Sequence, residues 1–164
     1  MLGAALASPL AASGAALHIA THAAGKITLF FCAGAIYVAH HLSDIKDMDG
    51  LGRKMPITYL AFAIGALSII GVPPLGGAWS KFILMGGALD NGHLLVLAVL
   101  MVSSLLNLVY LGEFVLRGFF ATPSQPDSTV SEAPLACLVP LVVTALLSIA
   151  LFFGVDLFML PFSG

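Results

Sequence analysis

The chain has 164 residues, of which 60% are hydrophobic and 9% are charged, and its formal net charge is -2 at pH 7. A soluble domain carries about a quarter charged residues, so this composition excludes a soluble globular protein and predicts an integral membrane protein. There is no cluster of Lys and Arg of the kind that binds nucleic acid. Cys32 and Cys137 both lie in apolar segments, where a thiol behaves as a small hydrophobe, so neither a disulfide framework nor a metal site is predicted.

The first third of the chain predicts one spanning helix and one exposed connection. Residues 1–13 are rich in alanine and lack the basic start of a signal peptide, which is typical of a helix tail or a loop. Residues 13–39 exceed the length of about 20 apolar residues that crosses a bilayer, and they predict a spanning helix. Residues 40–55 concentrate charge and glycine, which indicates an exposed connection.

An interrupted helix follows. Residues 57–72 predict a helix of about 24 Å, with Pro56 suited to its first position. Residues 78–89 predict a second one of about 18 Å, too short to cross a hydrocarbon core of about 30 Å. The residues that break the helix between them are Pro73, Pro74, Gly76 and Gly77. In transporters such breaks mark the ion path; the alternative is an interfacial turn with Lys81 as a snorkelling anchor.

The remainder of the chain predicts two further spans separated by a polar loop. Residues 94–120 are long enough to span with tilt, residues 121–133 read as a solvated loop, and residues 134–160 predict the last span. Glu113 and Arg117 are four residues apart near the end of the first of these spans, which indicates an ion pair along one helix. In total the sequence predicts an all-α membrane protein of four to five transmembrane helices, one of them broken.

Three titratable residues recur at intervals of four in the first span. His18, His22 and Lys26 therefore share one helix face and form a column toward mid-membrane. Such a column suits proton relay, because histidine titrates near neutrality and intramembrane charges usually mark function. The alternatives are histidines that hydrogen-bond to neighbouring helices, and a zinc site on the His pair. Zinc is disfavoured because Ile19 stands where the zinc-protease pattern needs Glu.

Several separated segments of the chain together resemble one family. These segments are HIATHAAGKITLFFCAGAIY (18–37), DGLGRKMP (49–56), LSIIGVPP (67–74) and SK (80–81). They resemble the antiporter-like proton-conducting membrane family, which contains Mrp-type Na⁺/H⁺ antiporter subunits, complex I antiporter-like subunits and subunits of membrane-bound hydrogenases. The match covers about residues 15 to 120, and the amino-acid sequence of residues 26–37 is most similar to the D-type Mrp subunit.

The resemblance implies both a fold and roles for the charged residues. The fold it implies is part of an inverted-repeat antiporter, with residues 1–120 as the C-terminal part of the conducting domain and residues 134–164 as a terminal helix. Lys26 would match the conducting lysine of the second repeat, with His18 and His22 as its neighbours. Lys81 would match the charged residue of the discontinuous helix on the exit side. Glu113 has no assigned match and is a secondary candidate.

The chain departs from the family in length, since the whole first repeat and the opening helix of the second are missing. Either the chain is a truncated or split product that assembles with the missing N-terminal half, or it is a remnant without transport of its own. The expected partners are that half, other membrane subunits and the lipid bilayer, with H⁺ and Na⁺ as transported ions.

Three functional hypotheses follow. The first is a subunit of a cation/proton antiporter or proton-pumping respiratory complex in the bacterial cytoplasmic membrane, in which Lys26, His22, His18 and Lys81 form a buried proton path. The second is a structural membrane subunit, and the third is a small metal-binding membrane protein. The chain has no nucleophile–base pair and no cofactor fingerprint, so we expect no cofactor and no catalytic site of its own. If it serves a proton-translocating NADH–quinone oxidoreductase, the redox chemistry lies in other subunits.

Overall fold

The described part of the chain is entirely helical. A computed structural model describes residues 9–122 and 132–156, with backbone alone for residues 9–11. The helices are α1 (Pro9–His40), α2 (Pro56–Ile70), α3 (Gly76–Asp90), α4 (Leu94–Phe120) and α5 (Leu135–Phe153). Helices α1, α4 and α5 are long and apolar enough to cross a membrane. Helices α2 and α3 have 15 residues each, or about 22 Å, so the prediction of an all-α membrane fold with one interrupted helix is confirmed.

The helix boundaries differ from the predicted ones mainly at the break. Pro73 and Pro74 lie in the connection between α2 and α3, but Gly76 and Gly77 form the first turn of α3 rather than part of the break. These two positions leave no room for a side chain, because a Cβ added to Gly76 would lie 2.9 Å from Thr21 Cγ2 and a Cβ added to Gly77 would overlap the Ser68 carbonyl oxygen. Residues 123–131 of the predicted polar loop and residues 157–164 of the predicted terminal helix lie outside the described residues, as do residues 1–8.

Helix α1 makes the most extensive helix–helix contacts in the described part of the chain. It packs against α2, α3 and α5, while α4 packs against α2 and α3 from the outside. Small and apolar residues fill the contacts, including Cys32 in α1, Tyr59 in α2 and Leu141 in α5, each with no exposed surface. Both cysteines are free thiols. Helix α4 is mostly exposed, so in a bilayer most of its surface meets lipid or another protein.

The connection between α1 and α2 is fastened to the C-terminal end of α4. The Arg117 guanidinium donates from Nε to Asp49 Oδ1 at 2.8 Å and from Nη2 to Asp49 Oδ2 at 3.0 Å. The Gly50 amide donates to the Arg117 carbonyl at 3.1 Å, and Arg53 Nε donates to the Phe119 carbonyl at 2.9 Å. We call these four hydrogen bonds the loop clasp. It ties the start of the broken helix to α4, which carries a residue of the site below.

Candidate functional site

The interruption between α2 and α3 organises the site. Helix α2 ends at Ile70, and Gly71 adopts a left-handed conformation with φ of 90°, which favours glycine. The two half-helices then touch backbone to backbone, because a Cβ added to Gly77 would overlap the Ser68 carbonyl oxygen. Such close packing leaves the last carbonyl of α2 available to a side chain rather than to the next turn of a continuous helix.

The side chain of Lys81 binds this free carbonyl at the end of α2. Its side chain is 9% exposed, and Nζ donates to the Ile70 carbonyl at 2.9 Å and to Ser104 Oγ on α4 at 2.7 Å. The C-terminal end of a helix carries partial negative charge, which favours a cation there. We call this arrangement the lysine seat. It explains how an ammonium is accommodated between helices, and it favours a site over a snorkelling anchor.

The lysine seat depends on the absence of a side chain at Gly71. A Cβ at that position would lie 2.8 Å from Lys81 Cδ, closer than two carbon atoms can approach without displacement. The acceptors of the seat, a backbone carbonyl and a hydroxyl, are both neutral. Among the residues the structure describes, no carboxylate forms an ion pair with Lys81.

His18 is joined to the residue beside Lys81. His18 Nδ1 lies 3.0 Å from Ser80 Oγ, and Ser80 is fully buried. The His18 and His22 rings are stacked with their centroids 5.3 Å apart and their planes 27° apart. The structure therefore brings three of the four predicted path residues into one neighbourhood: the stacked histidines on α1, and Lys81 next to the serine that His18 contacts.

Lys26 lies one helix turn beyond His22, but no hydrogen bond joins it to this group in the described residues. Its side chain is exposed, and it has no hydrogen-bond or ion-pair partner within residues 9–122 and 132–156. The expectation that Lys26 is buried is therefore not met, because the three helices that pack against α1 leave uncovered the face that carries Lys26. Ile19 and Phe30, at 73% and 71% exposure, share this face.

Glu113 pairs with the residue that its spacing indicates. Its carboxylate lies 3.4 Å from Arg117 Nη1 in an i,i+4 ion pair, with 62% of the Glu113 side chain exposed. This pair lies at the end of α4, beside the loop clasp. In the described part of the chain, no group of three His, Cys, Asp or Glu residues is placed to hold a metal ion.

Sequence reasoning missed the hydroxyl groups of the site. Ser80, Thr21 and Ser104 contact the candidate path residues or one another. The first two lie in the segments that carry the family resemblance, but no role was predicted for them, and Ser104 lies outside those segments. Ser80 directly precedes Lys81, and Ser104 is one of the few polar residues of an apolar helix. A search for hydroxyls next to intramembrane charges would have found the first, but only the fold brings Ser104 to Lys81, 23 residues away.

Known proteins match both the sequence and the fold. A family model described as NADH:quinone oxidoreductase/Mrp antiporter, TM matches residues 1–107. NADH-quinone oxidoreductase subunit N of Desulforudis audaxviator is 37% identical over 87% of this chain and 31% of that protein. A D-type subunit of the Na⁺/H⁺ antiporter of Alkalihalophilus pseudofirmus is 31% identical over 95% of this chain and 32% of that protein. The chain thus spans about a third of the length of these relatives.

Two solved structures share its fold. A chain of the Mrp complex from Dietzia sp. superposes with a TM-score of 0.85 at 23% identity, covering 94% of this chain and 37% of that one. A chain of the membrane-bound sulfane sulfur reductase, an archaeal respiratory membrane complex, gives a TM-score of 0.80 at 27% identity, covering 88% and 24%. The homologues are membrane subunits of Mrp and respiratory complexes. With the family model matching residues 1–107 of 164, this chain belongs to the NADH:quinone oxidoreductase/Mrp antiporter membrane family.

Proposed function

We propose that this chain supplies part of a proton path to a cation/proton antiporter or a proton-pumping respiratory complex of the bacterial cytoplasmic membrane. The lysine seat carries the proposal: a buried ammonium at the end of a broken helix, next to a hydroxyl that contacts an intramembrane histidine. Ionisable residues inside a membrane protein are rare and usually functional. Broken helices with polar backbone at membrane depth mark ion sites in transporters.

The path that we propose runs through Lys81, His18 and His22 and reaches Lys26 at the uncovered face of α1. Lys81 uses two of its three donors on Ile70 and Ser104, which leaves one N–H directed to a further acceptor or to water. Histidine takes up and releases a proton near neutral pH, so the stacked pair is suited to pass protons between the two lysines. The transported ion is H⁺, with Na⁺ as the exchanged ion in an antiporter.

The exposed position of Lys26 supports a role within a larger assembly. A lysine near the middle of a lipid-facing helix costs about 2.5–3.5 kcal/mol on insertion scales. Covering it with another polar protein surface reduces that cost. We therefore propose that membrane segments equivalent to the remaining two thirds of the relatives, from the N-terminal half or from other subunits, cover this face.

Removal of the Lys81 ammonium tests the proposed function. Lys81→Met keeps the length and volume of the stem but removes the donor, so we expect H⁺ uptake by inverted vesicles to fall at least tenfold at equal abundance of the native assembly. Asp90→Asn is the matched control, because it removes one exposed charge from the same helix. Unchanged H⁺ flux in Lys81→Met and in Lys26→Ala vesicles would contradict the proposal and support a purely structural subunit.

A further inference from the structure

Ser80 is fully buried between two helices. Its hydroxyl has more potential hydrogen-bond partners than its single proton can donate to. Its Oγ lies 3.1 Å from the Gly77 carbonyl and 3.0 Å from His18 Nδ1. Thr21 Oγ1 lies 3.3 Å from it, but that hydroxyl has a nearer acceptor in the Leu17 carbonyl at 3.1 Å. The direction of each hydrogen bond follows from counting donors.

Only one assignment uses every donor. If Thr21 donates to Leu17 and Ser80 donates to Gly77, His18 must carry its proton on Nδ1 and donate it to Ser80 Oγ, which gives three hydrogen bonds. If instead Ser80 donates to an unprotonated His18 Nδ1, its bond to Gly77 is lost and the His18 proton lies on Nε2, outside these contacts, so only the bonds from Ser80 to His18 and from Thr21 to Leu17 form. Buried polar groups are nearly always satisfied, so the first assignment is favoured.

We propose that Ser80 is a positioning residue that holds neutral His18 in the tautomer with the proton on Nδ1, so that Nε2 is the nitrogen that accepts and releases the proton. One additional hydrogen bond favours this tautomer by about fivefold. Free histidine in water prefers the opposite tautomer, with the proton on Nε2. The hydrogen bond to Ser80 thus acts against the intrinsic preference of the ring.

The arrangement has a consequence for proton transfer. A proton that arrives at Nε2 gives a His18 cation whose Nδ1–H still donates to Ser80, and departure of that proton from Nε2 restores the starting form. The Ser80 hydroxyl keeps its bond to Gly77 throughout, so uptake and release require no rotation of a buried group. His22, stacked on His18, and Lys81, next in sequence to Ser80, are the titratable groups beside this ring. Only the role in conduction rests on the proposed function; the tautomer assignment does not.

Nitrogen-15 NMR of the histidine rings tests the assignment directly. We use the full chain in its native assembly, labelled with ¹⁵N-histidine, reconstituted in lipid and held at a pH where His18 is neutral; signals are assigned by their loss in His18→Asn. We expect His18 to show a protonated Nδ1 and a bare Nε2 in the wild type, and the protonated nitrogen to become mainly Nε2 in Ser80→Ala.

Ser68→Ala is the matched control, because Ser68 is another fully buried serine at the same break, and its hydroxyl has no hydrogen-bond partner within the described ranges. Its His18 spectrum should equal that of the wild type. Ser80→Cys, which keeps a weaker donor and acceptor, should give an intermediate tautomer ratio. A bare Nδ1 in the wild type, or the same His18 tautomer in wild type and Ser80→Ala, would overturn the inference.

Proton flux separates this inference from the proposed function. We expect Ser80→Ala to lower H⁺ flux several-fold and Ser68→Ala to leave it unchanged. A tautomer exchange in Ser80→Ala with no H⁺ flux in the wild type would refute the proposed function and keep the assignment of Ser80. H⁺ flux in the wild type with no tautomer exchange in Ser80→Ala would refute the assignment of Ser80 and keep the proposed function.

Discussion

At the scale of the residue, Lys81 shows which part of a site a sequence can reveal. Its place after a helix break was predictable, because proline and glycine interrupt an apolar run and a charge follows within a few residues. Its acceptors were not predictable. One is a backbone carbonyl freed by the end of α2, and the other is a serine 23 residues further along the chain, so both depend on how α2, α3 and α4 meet.

Replacement of Gly71 by alanine should disturb the lysine seat. The left-handed conformation costs a non-glycine residue about 1–2 kcal/mol, and the new Cβ would also contact Lys81 Cδ. We expect the unfolding midpoint and the H⁺ flux to fall together in Gly71→Ala. Gly92→Ala is the matched control, since Gly92 has a φ of 69° but nothing within 4 Å of its added Cβ. Equal losses of H⁺ flux in Gly71→Ala and Gly92→Ala would mean that backbone strain alone, and not contact with Lys81, causes the effect.

At the scale of the element, the hydropathy pattern predicted the helices, whereas the contacts that orient them are long-range. The bounds of α4 agree with the predicted residues 94–120, because the run is apolar throughout and both ends carry clear breaks. The loop clasp, and a cap that Glu132 places on the start of α2, join residues more than 60 positions apart. No local pattern in the sequence marks such pairs, so they appear only once the helices have been placed.

The loop clasp should make stability depend on pH in a defined direction. Hydrogen bonds from the Arg117 guanidinium hold the pKa of Asp49 below its ordinary value. The stabilisation is therefore present above the unfolded pKa of about 3.9 and is lost as the pH falls through the lower, folded value. Thermal unfolding in detergent at stepped pH should show a wild-type advantage over Asp49→Asn at pH 7 that disappears in acid.

Glu113→Gln serves as the comparison for the clasp, because Glu113 pairs with the same Arg117 at the longer distance of 3.4 Å. It should change the unfolding midpoint less than Asp49→Asn at pH 7. A pH-independent difference between wild type and Asp49→Asn would contradict the assigned role of the Asp49 carboxylate.

The start of α2 is capped by Glu132, a residue that lies just before α5 and 75 positions further along the chain than Ile57. Glu132 accepts from the Ile57 amide at 2.6 Å and from the Thr58 hydroxyl at 2.9 Å, since Met55 at the N-cap position provides no side-chain hydrogen bond. Loss of an N-cap costs about 1 kcal/mol, and we expect Glu132→Ala to lower the free energy of unfolding by about that amount. Asp44→Ala, at an N-cap position without a side-chain bond, should leave it unchanged; equal effects would argue against the cap.

At the scale of the whole molecule, the fold was predictable from hydropathy and the family pattern, but the exposure of Lys26 was not. Spacing by four places His18, His22 and Lys26 along one face, and that part of the expectation holds for the stacked histidines. Which part of the face is covered depends on neighbouring helices. The chain spans about a third of its curated relatives, and the uncovered Lys26 lies on α1, which packs against α2, α3 and α5 on its other faces.

The proposed covering of this face can be tested by photo-crosslinking. A photoreactive amino acid in place of Phe30, one turn from Lys26 on the same face, should crosslink to protein in native membranes with high yield. The same group in place of Tyr59, which is fully buried within the bundle, should give only crosslinks within the chain. Adducts of lipid alone at position 30 would contradict a protein partner at this face.

The neutral character of the lysine seat also limits how many charges the membrane interior can hold at once. Two positive charges that no carboxylate offsets repel each other, and the repulsion is stronger in a protein interior than in bulk water because the effective dielectric constant is lower. A proton on Lys81 and a proton on the nearby His18 therefore repel each other. In the proposed path, arrival of a proton at one of these groups would therefore favour departure of the proton from the other, with no movement of a helix required.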